Sequence, residues 1–215
     1  MTAAKSRSSA NGAGSADDDL TNRRRKEITL GACAVFDERG YANTRIADIS
    51  AHLGIGQGTI YRYFTGKEDL MDSIIGYGIR RMLAAMREDP AVRADSAGSA
   101  AQFREQITAV AHRLLDMAAT EQTLVRVLLS QAPAARPEAI DELTDQLSAT
   151  TASYLAEGVQ NGYLRAELDT SMIADAMSGI AVPAMRRVLR GQLDADGRAA
   201  TARTIGELIT VGINA

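Results

Sequence analysis

Residues 54–70 read GIGQGTIYRYFTGKEDL, and this stretch decides how the rest of the chain is interpreted. Its glycines are typical of a turn. The segment Tyr61-Arg62-Tyr63 that follows has helical spacing, and Lys67 comes shortly after it. Tyrosine, arginine and lysine interleaved in this way suit contacts with nucleic-acid phosphates and bases. The alternative is an ordinary solvated helix with some aromatic packing, which the formal net charge of -3 favours.

The charge of the chain is unevenly distributed. Residues 23–67 contain eight Lys or Arg and four Asp or Glu, a net charge of +4. Residues 68–215 contain fourteen and twenty, a net charge of -6. A basic N-terminal segment on an acidic body is expected of a protein that meets nucleic acid at one end only. The overall acidity therefore does not argue against a DNA partner.

The composition of the 215-residue chain favours helices, since Ala-rich runs are prominent and aromatic residues make up only 4%. The single cysteine, Cys33, excludes an internal disulfide and suits a reducing compartment. No apolar run approaches the ~20 residues of a membrane helix, and the N-terminus lacks the apolar core of a secretory signal. We expect a cytoplasmic, all-α protein whose residues 1–22 form a disordered tail rich in Ser, Gly, Ala and Asp.

A first helix is predicted from a cap at Thr21-Asn22 to Arg39, with Gly40 ending it. Its apolar side chains recur at i, i+4, i+7 and i+8 and form one face, which consists of Ile28, Ala32, Val35 and Phe36. The basic run of residues 23–26 lies in the predicted first turn, where it opposes the helix dipole, so helix stability does not explain it. Phosphate contact and a solubilising charge run are both consistent with this run.

Two short helices follow, joined by a turn that contains glycine. The first is predicted after a Thr44 cap and ends at Gly54, and the second runs from about Gln57 to Phe64. The apolar positions of both helices have the spacing of a buried face and comprise Ile46, Ile49, Leu53, Ile60 and Phe64. Two short helices braced by a longer one make a helix-turn-helix, whose second helix lies in the major groove of DNA.

The second helix of such a motif supplies the contacts with DNA. Its N-terminal residues reach base edges, and here residues 57–59 are Gln-Gly-Thr. Glutamine can bond adenine through two hydrogen bonds, threonine offers a hydroxyl or a methyl group, and glycine allows close approach of the backbone. We expect Tyr61, Tyr63 and Lys67 to hold phosphates, which fixes the register on the duplex without reading its sequence.

Residues 31–70 resemble the DNA-binding domain of the tetracycline-repressor-like (TetR) family of transcriptional regulators. The shared residues occur at fixed spacing and are Phe36, Gly40-Tyr41, Thr44, Ile46, Asp48-Ile49, Leu53-Gly54-Ile55, Gly58-Thr59-Ile60-Tyr61, Tyr63-Phe64, Lys67-Glu68 and Leu70. The rest of the chain is similar to the family only in length and helicity. One departure is Gly56, where the family usually has Ser or Thr. Glycine is a tolerated N-cap, but it lacks a hydroxyl for a phosphate contact.

The resemblance implies both a function and a domain organisation. It implies a ligand-responsive, sequence-specific transcriptional regulator, expected to be a repressor, that binds a pseudo-palindromic operator as a homodimer. A three-helix, helix-turn-helix DNA-binding domain is expected over residues 23–66, and a C-terminal helical ligand-binding and dimerisation domain over residues 67–215. The residues expected to contact DNA are Arg23, Arg24, Arg25, Thr44, Arg45, Gln57, Gly58, Thr59, Tyr61, Arg62, Tyr63 and Lys67.

The C-terminal part of the chain has the pattern of helices separated by turns that contain Gly or Pro. We predict these helices over residues 67–88, 100–119, 121–131, 137–161, 169–190 and 196–213. The resemblance implies that the last two form the dimer interface, through apolar and small side chains at Ile173, Met177, Ile180, Ala184, Ile205, Leu208, Ile209 and Gly212. The alternative is that both stripes pack the core of the protomer.

A ligand pocket is expected among the helices of residues 70–185. Most candidates to line it are apolar, and they are Tyr77, Met82, Met86, Phe103, Ile107, His112, Leu114, Met117, Leu128, Tyr154 and Met177. A methionine-rich cavity can repack around varied apolar ligands, so we expect a small, largely apolar effector whose identity is open. Methionine at helical spacing is nevertheless more often part of a core, and a lone histidine such as His112 is more often a satisfied core residue than a ligand.

The sequence lacks the residue patterns of metal sites and of common enzyme active sites, which limits the possible functions. Two histidines and one cysteine form no plausible zinc site, and no GxSxG, P-loop, HExxH or GxGxxG motif is present. We therefore expect no metal, no cofactor, no membrane partner and no enzymatic activity. The competing hypothesis is a helical small-molecule carrier or adaptor with a vestigial helix-turn-helix, and the basic segment 23–67 argues against it.

Overall fold

The computed structural model describes the backbone of residues 11–87 and 99–213 and the side chains of residues 18–86 and 99–208. Within these ranges the chain forms helices and turns and no strand, so the prediction of an all-α fold is confirmed. The helices of the described residues are α1 (Asn11–Arg39), α2 (Ile46–Leu53), α3 (Gln57–Tyr61), α4 (Lys67–Arg87), α5 (Ala100–Thr120), α6 (Gln122–Ser130), α7 (Ala132–Ala135), α8 (Pro137–Gln160), α9 (Thr170–Leu189) and α10 (Ala195–Ile213).

Helix α1 begins at Asn11 rather than at Thr21, so the prediction of a disordered tail is wrong for residues 11–22. The remainder of that predicted tail, residues 1–10, lies outside the described part of the chain. Ala is a strong helix former, and Asp19 pairs with Arg23 one turn later at 3.7 Å, which supports the helix modestly. The basic run of residues 23–26 therefore lies in the middle of a helix, and the argument from the dipole of a first turn does not apply to it.

The head, residues 23–66, closes over a core to which each of its helices contributes. The buried side chains of this core are Ile28, Ala32, Val35, Phe36, Ile49, Ile60 and Phe64, as the sequence predicts. Ile46 and Leu53 are half-buried and pack against the same core. Leu70 and Ile74 of α4 are also buried in it. The first turns of α4 therefore support the head directly.

Helix α2 is capped by a carboxylate rather than by the predicted Thr44 hydroxyl. Asp48 accepts a hydrogen bond from the backbone N–H of Arg45 at 2.8 Å. Thr44 is instead buried, and its hydroxyl donates to the carbonyl of Gly40 at 2.8 Å. At the other end Gly54 has a φ of +64°, the left-handed conformation that favours glycine, so the predicted end of the helix is confirmed.

The body, residues 67–213, is built around α5, which packs against α4, α6, α9 and α10. Helix α6 packs against both α1 and α4, and its buried face joins the core of the head to that of the body. A second, distal core is formed by α5, α8, α9 and α10, and its buried residues are Phe103, Ile107, Leu155, Leu164, Ala174 and Ile205. The short helix α7 occupies a segment that the sequence predicts as a loop.

Helices α4 and α6 approach each other closely at Gly78. A Cβ atom at Gly78 would lie 2.4 Å from a methyl carbon of Leu128, well inside van der Waals contact. Gly76, half a turn earlier in the same helix, has no such neighbour, since a Cβ there would meet only the guanidinium of Arg80 at 3.5 Å. Helices α4 and α6 can therefore approach this closely only because Gly78 has no side chain.

Candidate DNA-binding surface

Helix α3 presents exposed polar side chains on a buried support. Gln57, Gly58 and Arg62 are exposed, and Tyr61 is 55% exposed. Ile60 in the same helix is fully buried. The outer face of α3 can therefore contact another molecule while its inner face is anchored in the core of the head. Exposed glutamine and arginine side chains on an anchored helix suit hydrogen bonds to base edges and phosphates.

Helix α3 ends at Tyr61 rather than at the predicted Phe64, and Arg25 holds the turn that follows. The guanidinium of Arg25 donates to the carbonyl of Tyr63 and lies 4.5 Å from the centre of the Phe64 ring. These contacts fix the end of α3 against α1. The structure therefore gives Arg25 a bracing role inside the head, and its predicted phosphate contact stays a prediction.

Arg23 keeps an exposed position and Arg24 a half-buried one, and each pairs with a carboxylate of α1. Arg24 pairs with Glu27 at 2.7 Å, and Arg23 with Asp19 at 3.7 Å. Both pairs link neighbouring turns of one helix in solvent, where an ion pair contributes little stability. A DNA phosphate can replace these carboxylates at small cost, so Arg23 and Arg24 stay candidates for phosphate contact.

Lys67 is predicted to bind a phosphate, but its ammonium group is engaged within the protein. It donates to the carbonyl of Tyr41 at 2.8 Å and lies 4.3 Å from the centre of the Tyr41 ring. Its Nζ atom is also 3.5 Å from the carbonyl of Ala42. Lys67 therefore ties the start of α4 to the loop after α1, and its predicted phosphate contact stays a prediction.

Two neighbouring residues at the start of α2 are both predicted to contact DNA, but they differ in exposure. Thr44 is 2% exposed and its hydroxyl is used within the head, so its side chain is not available to DNA. Arg45 is exposed. Thr59 and Tyr63, at the two edges of α3, are half-buried. The remaining exposed candidates are Arg23, Arg45, Gln57, Gly58, Tyr61 and Arg62.

Residues 28–74 match the family described as "Bacterial regulatory proteins, tetR family". The match covers α2, α3, the core that supports them and the first turns of α4. The chain therefore carries a DNA-binding domain of the TetR family over these residues.

The chain is similar to named regulators over most of its length. It is 25% identical over 156 residues to the "Fatty acid metabolism regulator protein" of Bacillus subtilis, covering 71% of this chain and 77% of that protein. It is 27% identical over 158 residues to the "HTH-type transcriptional repressor KstR2" of Mycobacterium tuberculosis, covering 71% and 74% respectively. The structure of the regulator FadR from Bacillus subtilis in complex with stearoyl-CoA shares the fold, with a TM-score of 0.73 and 23% identity over 88% of this chain and 99% of that one.

The residues predicted to line a ligand pocket fall into two separate cores. Those in or against the core shared with the head are Tyr77, Met82, Leu114, Met117 and Leu128, and those of the distal core are Phe103, Ile107, Tyr154 and Met177. The Tyr154 hydroxyl donates to Gln106 at 2.7 Å, and its ring stacks on Phe103 with the ring centres 5.0 Å apart. Met86 is half-buried near the end of α4. The structure thus packs these side chains against one another.

Two open grooves lie on the described part of the body. One, of about 550 Å³ between α5 and α10, is lined by charged residues that include Arg104, Arg113 and Arg203. The other, of about 600 Å³ between α4 and α8, is lined by Asp72, Arg136 and Glu142 among others. Of the predicted pocket residues only His112 reaches either groove, and its Nδ1 lies 3.0 Å from Asp116 in the next turn of α5.

The predicted dimer stripe of α9 faces its own protomer. Its members Ile173, Met177 and Ile180 are half-buried against the distal core, while Ala184 is buried. The stripe one residue earlier faces solvent and consists of Met172, Ala176, Gly179 and Pro183. Because an α-helix turns by about 100° per residue, a shift of one residue exchanges one face for another.

The residues of α10 that are predicted to lie in the dimer interface also differ in exposure. Ile205 is buried in the distal core, whereas Leu208 is 63% exposed. The side chains of Ile209 and Gly212 lie outside the described residues. Exposed large apolar residues such as Leu208 and Met172, which is 68% exposed, are consistent with a covered surface in an oligomer.

Other chemistry in the described residues is limited. Burial raises the pKa of the Cys33 thiol to about 12, with a smaller contribution from the negative charge of Asp37, so the thiol is unreactive at neutral pH. No cluster of histidine, cysteine and carboxylate side chains suited to a metal is found in the side chains described. None of the helices there is long and apolar enough to cross a bilayer.

Proposed function

We propose that the protein is a homodimeric repressor that binds a pseudo-palindromic operator through α3 and leaves it when an effector binds the body. The exposed outer face of α3, on the buried support of Ile60, is the observation that carries this proposal. In this proposal Gln57 and Gly58 approach base edges, and Arg62, Tyr61 and Arg45 bind phosphates. The head over residues 23–66 and the body over residues 67–215 are its two functional domains.

Dimerisation would pair the exposed stripe of α9 with its counterpart in a second copy. Ala176 and Gly179 on this stripe are small enough for close approach of two helices, and a Cβ at Gly179 meets no other atom within 4 Å. A two-fold axis through this face gives two α3 helices, and half-sites about 34–36 Å apart fit one turn of DNA. The operator is therefore expected to have two-fold symmetry.

The effector is proposed to be a largely apolar molecule that separates the body helices. The relatives named above are a fatty-acid metabolism regulator and KstR2, and the similar FadR structure contains stearoyl-CoA. The apolar pocket candidates here are packed against one another, so a ligand among them has to move α4, α5 or α6. Such a movement favours one orientation of the heads over another and so lowers the affinity for DNA.

The experiment that tests this function is selection of bound fragments from sheared genomic DNA, followed by titration of stearoyl-CoA and free stearate into the complex. We expect a pseudo-palindromic fragment to be enriched, with affinity that falls steeply with salt. Release of this fragment by one of the two probes supports an apolar effector. No enrichment over bulk DNA at low salt, together with tight binding of a probe, would instead favour a small-molecule carrier with a vestigial head.

A further inference from the structure

Two side chains of the body make directional contacts with the end of α1 and the segment after it. Arg126 of α6 binds the carboxylate of Asp37 near the end of α1 through three hydrogen bonds of 2.8, 3.1 and 2.9 Å. Gln131, at the end of α6, accepts a hydrogen bond from the backbone N–H of Tyr41 at 3.1 Å. We call Arg126 and Gln131 the clamp. Both contacts join residues about ninety positions apart in the chain.

The clamp acts on the short segment after α1 that contains Tyr41, and this segment is held from two directions. The N–H of Tyr41 is bound by Gln131, and its carbonyl accepts from Lys67 at 2.8 Å. A further contact lies close to the clamp in the chain. Arg136, just after α7, pairs with Asp72 of α4 at 2.6 and 2.8 Å. The segment after α1 therefore takes its position from both α4 and α6.

The apolar contacts at this junction do not set an orientation by themselves. Val125, Leu124 and Leu128 of α6 are buried in the same core as Phe36 and Ile28 of α1. Apolar burial is nondirectional, so it restricts the angle between the two helices only through the packing of their side chains. A two-pronged pair between arginine and carboxylate does have directional geometry. The clamp adds directional contacts to this junction.

The clamp contributes more to geometry than to stability. The Arg126 and Asp37 side chains keep 41% and 19% of their surface exposed, and ion pairs this exposed add little to the free energy of unfolding. The hydrogen bond that Arg126 donates to Asp37 raises the pKa of the Arg126 guanidinium above its ordinary value, so the guanidinium stays charged. Loss of this pair is therefore expected to change the position of the head without unfolding the protein.

We propose that Arg126 and Gln131 are positioning residues for DNA binding, which fix the angle of the head on the body and transmit movements of α6 to α3. This inference rests on the proposed DNA-binding function, and it names the contacts through which an effector in the body reaches the head. Neither residue touches the exposed face of α3. A shift of α6 along α1 breaks the directional contacts first and leaves the apolar ones in place.

The first test needs no DNA. Exchange of the Tyr41 backbone amide with deuterium is measured by NMR in the wild type and in Arg126→Gln and Arg126→Lys. We expect the exchange rate to rise about tenfold in both variants, because the Gln131 contact opens when its neighbour is lost, while buried amides of α5 are unchanged. Arg80→Gln, an exposed arginine on α4, is the control. An unchanged Tyr41 rate in both variants overturns the clamp.

The second test uses the selected DNA fragment. We expect Arg126→Gln to weaken binding about tenfold while the melting temperature stays within a few degrees of wild type. Joining Asp37→Arg to Arg126→Asp restores the pair with exchanged charges and should recover most of the affinity. A fragment with one base pair inserted between half-sites should be tolerated better by Arg126→Gln than by the wild type. Affinity that simply follows melting temperature across these variants contradicts a positioning role.

The two tests separate failure of the clamp from failure of the proposed function. If the wild type enriches no DNA, the proposed function fails, and the exchange experiment still decides whether the clamp holds the head. If the wild type binds a symmetric fragment and Arg126→Gln binds it equally well, the function stands and the clamp is wrong.

Discussion

The ammonium of Lys67 lies 2.8 Å from the carbonyl oxygen of Tyr41 and 4.3 Å from the centre of its ring. This pair joins the first residue of α4 to the loop that connects α1 and α2. A lysine that follows Tyr61-Arg62-Tyr63 in the sequence resembles a phosphate ligand, yet its charge is used to hold the head on the body. Lys67 therefore supports DNA binding through the position of α3.

Replacement of Lys67 by glutamine should reduce stability without changing the number of DNA phosphates bound. Loss of a charged hydrogen bond to a backbone carbonyl is expected to cost about 1–2 kcal/mol of unfolding free energy. The slope of log affinity against log salt should stay constant. The matched control is Arg62→Gln, which should leave stability unchanged and reduce that slope by about one unit. Urea unfolding and anisotropy titrations measure both quantities, and a reduced slope for Lys67→Gln would restore the phosphate assignment.

The contact between α4 and α6 can be tested with two glycines of the same helix. In Gly78→Ala the new methyl group meets Leu128, so we expect a loss of about 1–3 kcal/mol of unfolding free energy. In Gly76→Ala the methyl group has room, and the change should stabilise the helix by about 0.5–1 kcal/mol. Urea denaturation of both variants measures the difference. Equal effects at the two positions would show that α4 and α6 are further apart than described.

The buried Cys33 thiol predicts a pH dependence of stability. Burial raises its pKa from about 9 to about 12, so the folded state keeps the proton more tightly than the unfolded chain does. The stabilisation is complete below pH 9 and is lost as the pH rises toward 12. Between pH 8.5 and 10.5 the wild type should therefore lose about 2 kcal/mol more unfolding free energy than Cys33→Ala. Parallel pH profiles for the two proteins would contradict the burial of this thiol.

The exposed stripe of α9 makes a prediction about assembly. Ala176→Arg places a long charged side chain on this stripe and should raise the dissociation constant of the dimer at least about tenfold. Ala101→Arg, at an exposed alanine of α5, is the control and should leave the dimer intact. Sedimentation equilibrium measures both. A dimer that is unaffected by Ala176→Arg places the interface elsewhere, and a wild type that is monomeric at micromolar concentration rules out the two-head arrangement.

The positions of the helices were largely predictable from local sequence signals. Gly40 and Gly54 end helices as predicted, and both have a positive φ that other residues rarely adopt. The apolar periodicity of Ile28, Ala32 and Phe36 identified the buried face of α1. These features depend on neighbours within one or two turns, which a sequence displays directly.

Contacts between distant segments were not predictable in the same way. Whether a basic residue faces DNA or the protein depends on which carbonyl lies near it, and the partners of Arg25 and Lys67 are 38 and 26 positions away. The clamp contact of Arg126 with Asp37 spans 89 positions and has no motif. The predicted interface residues of α9 are half-buried within their own protomer, because apolar periodicity marks a buried face without saying which protomer buries it.

The most direct test of the account is a comparison of Gln57→Ala with Arg62→Gln on the selected fragment and on its single-base-pair variants. If α3 reads base edges, Gln57→Ala should lose about 1–3 kcal/mol of discrimination at one symmetric pair of positions and little elsewhere. Arg62→Gln should lower the affinity for every fragment by the same factor. A uniform loss with Gln57→Ala, indistinguishable from that of Arg62→Gln, would show that α3 is not the helix that reads the sequence.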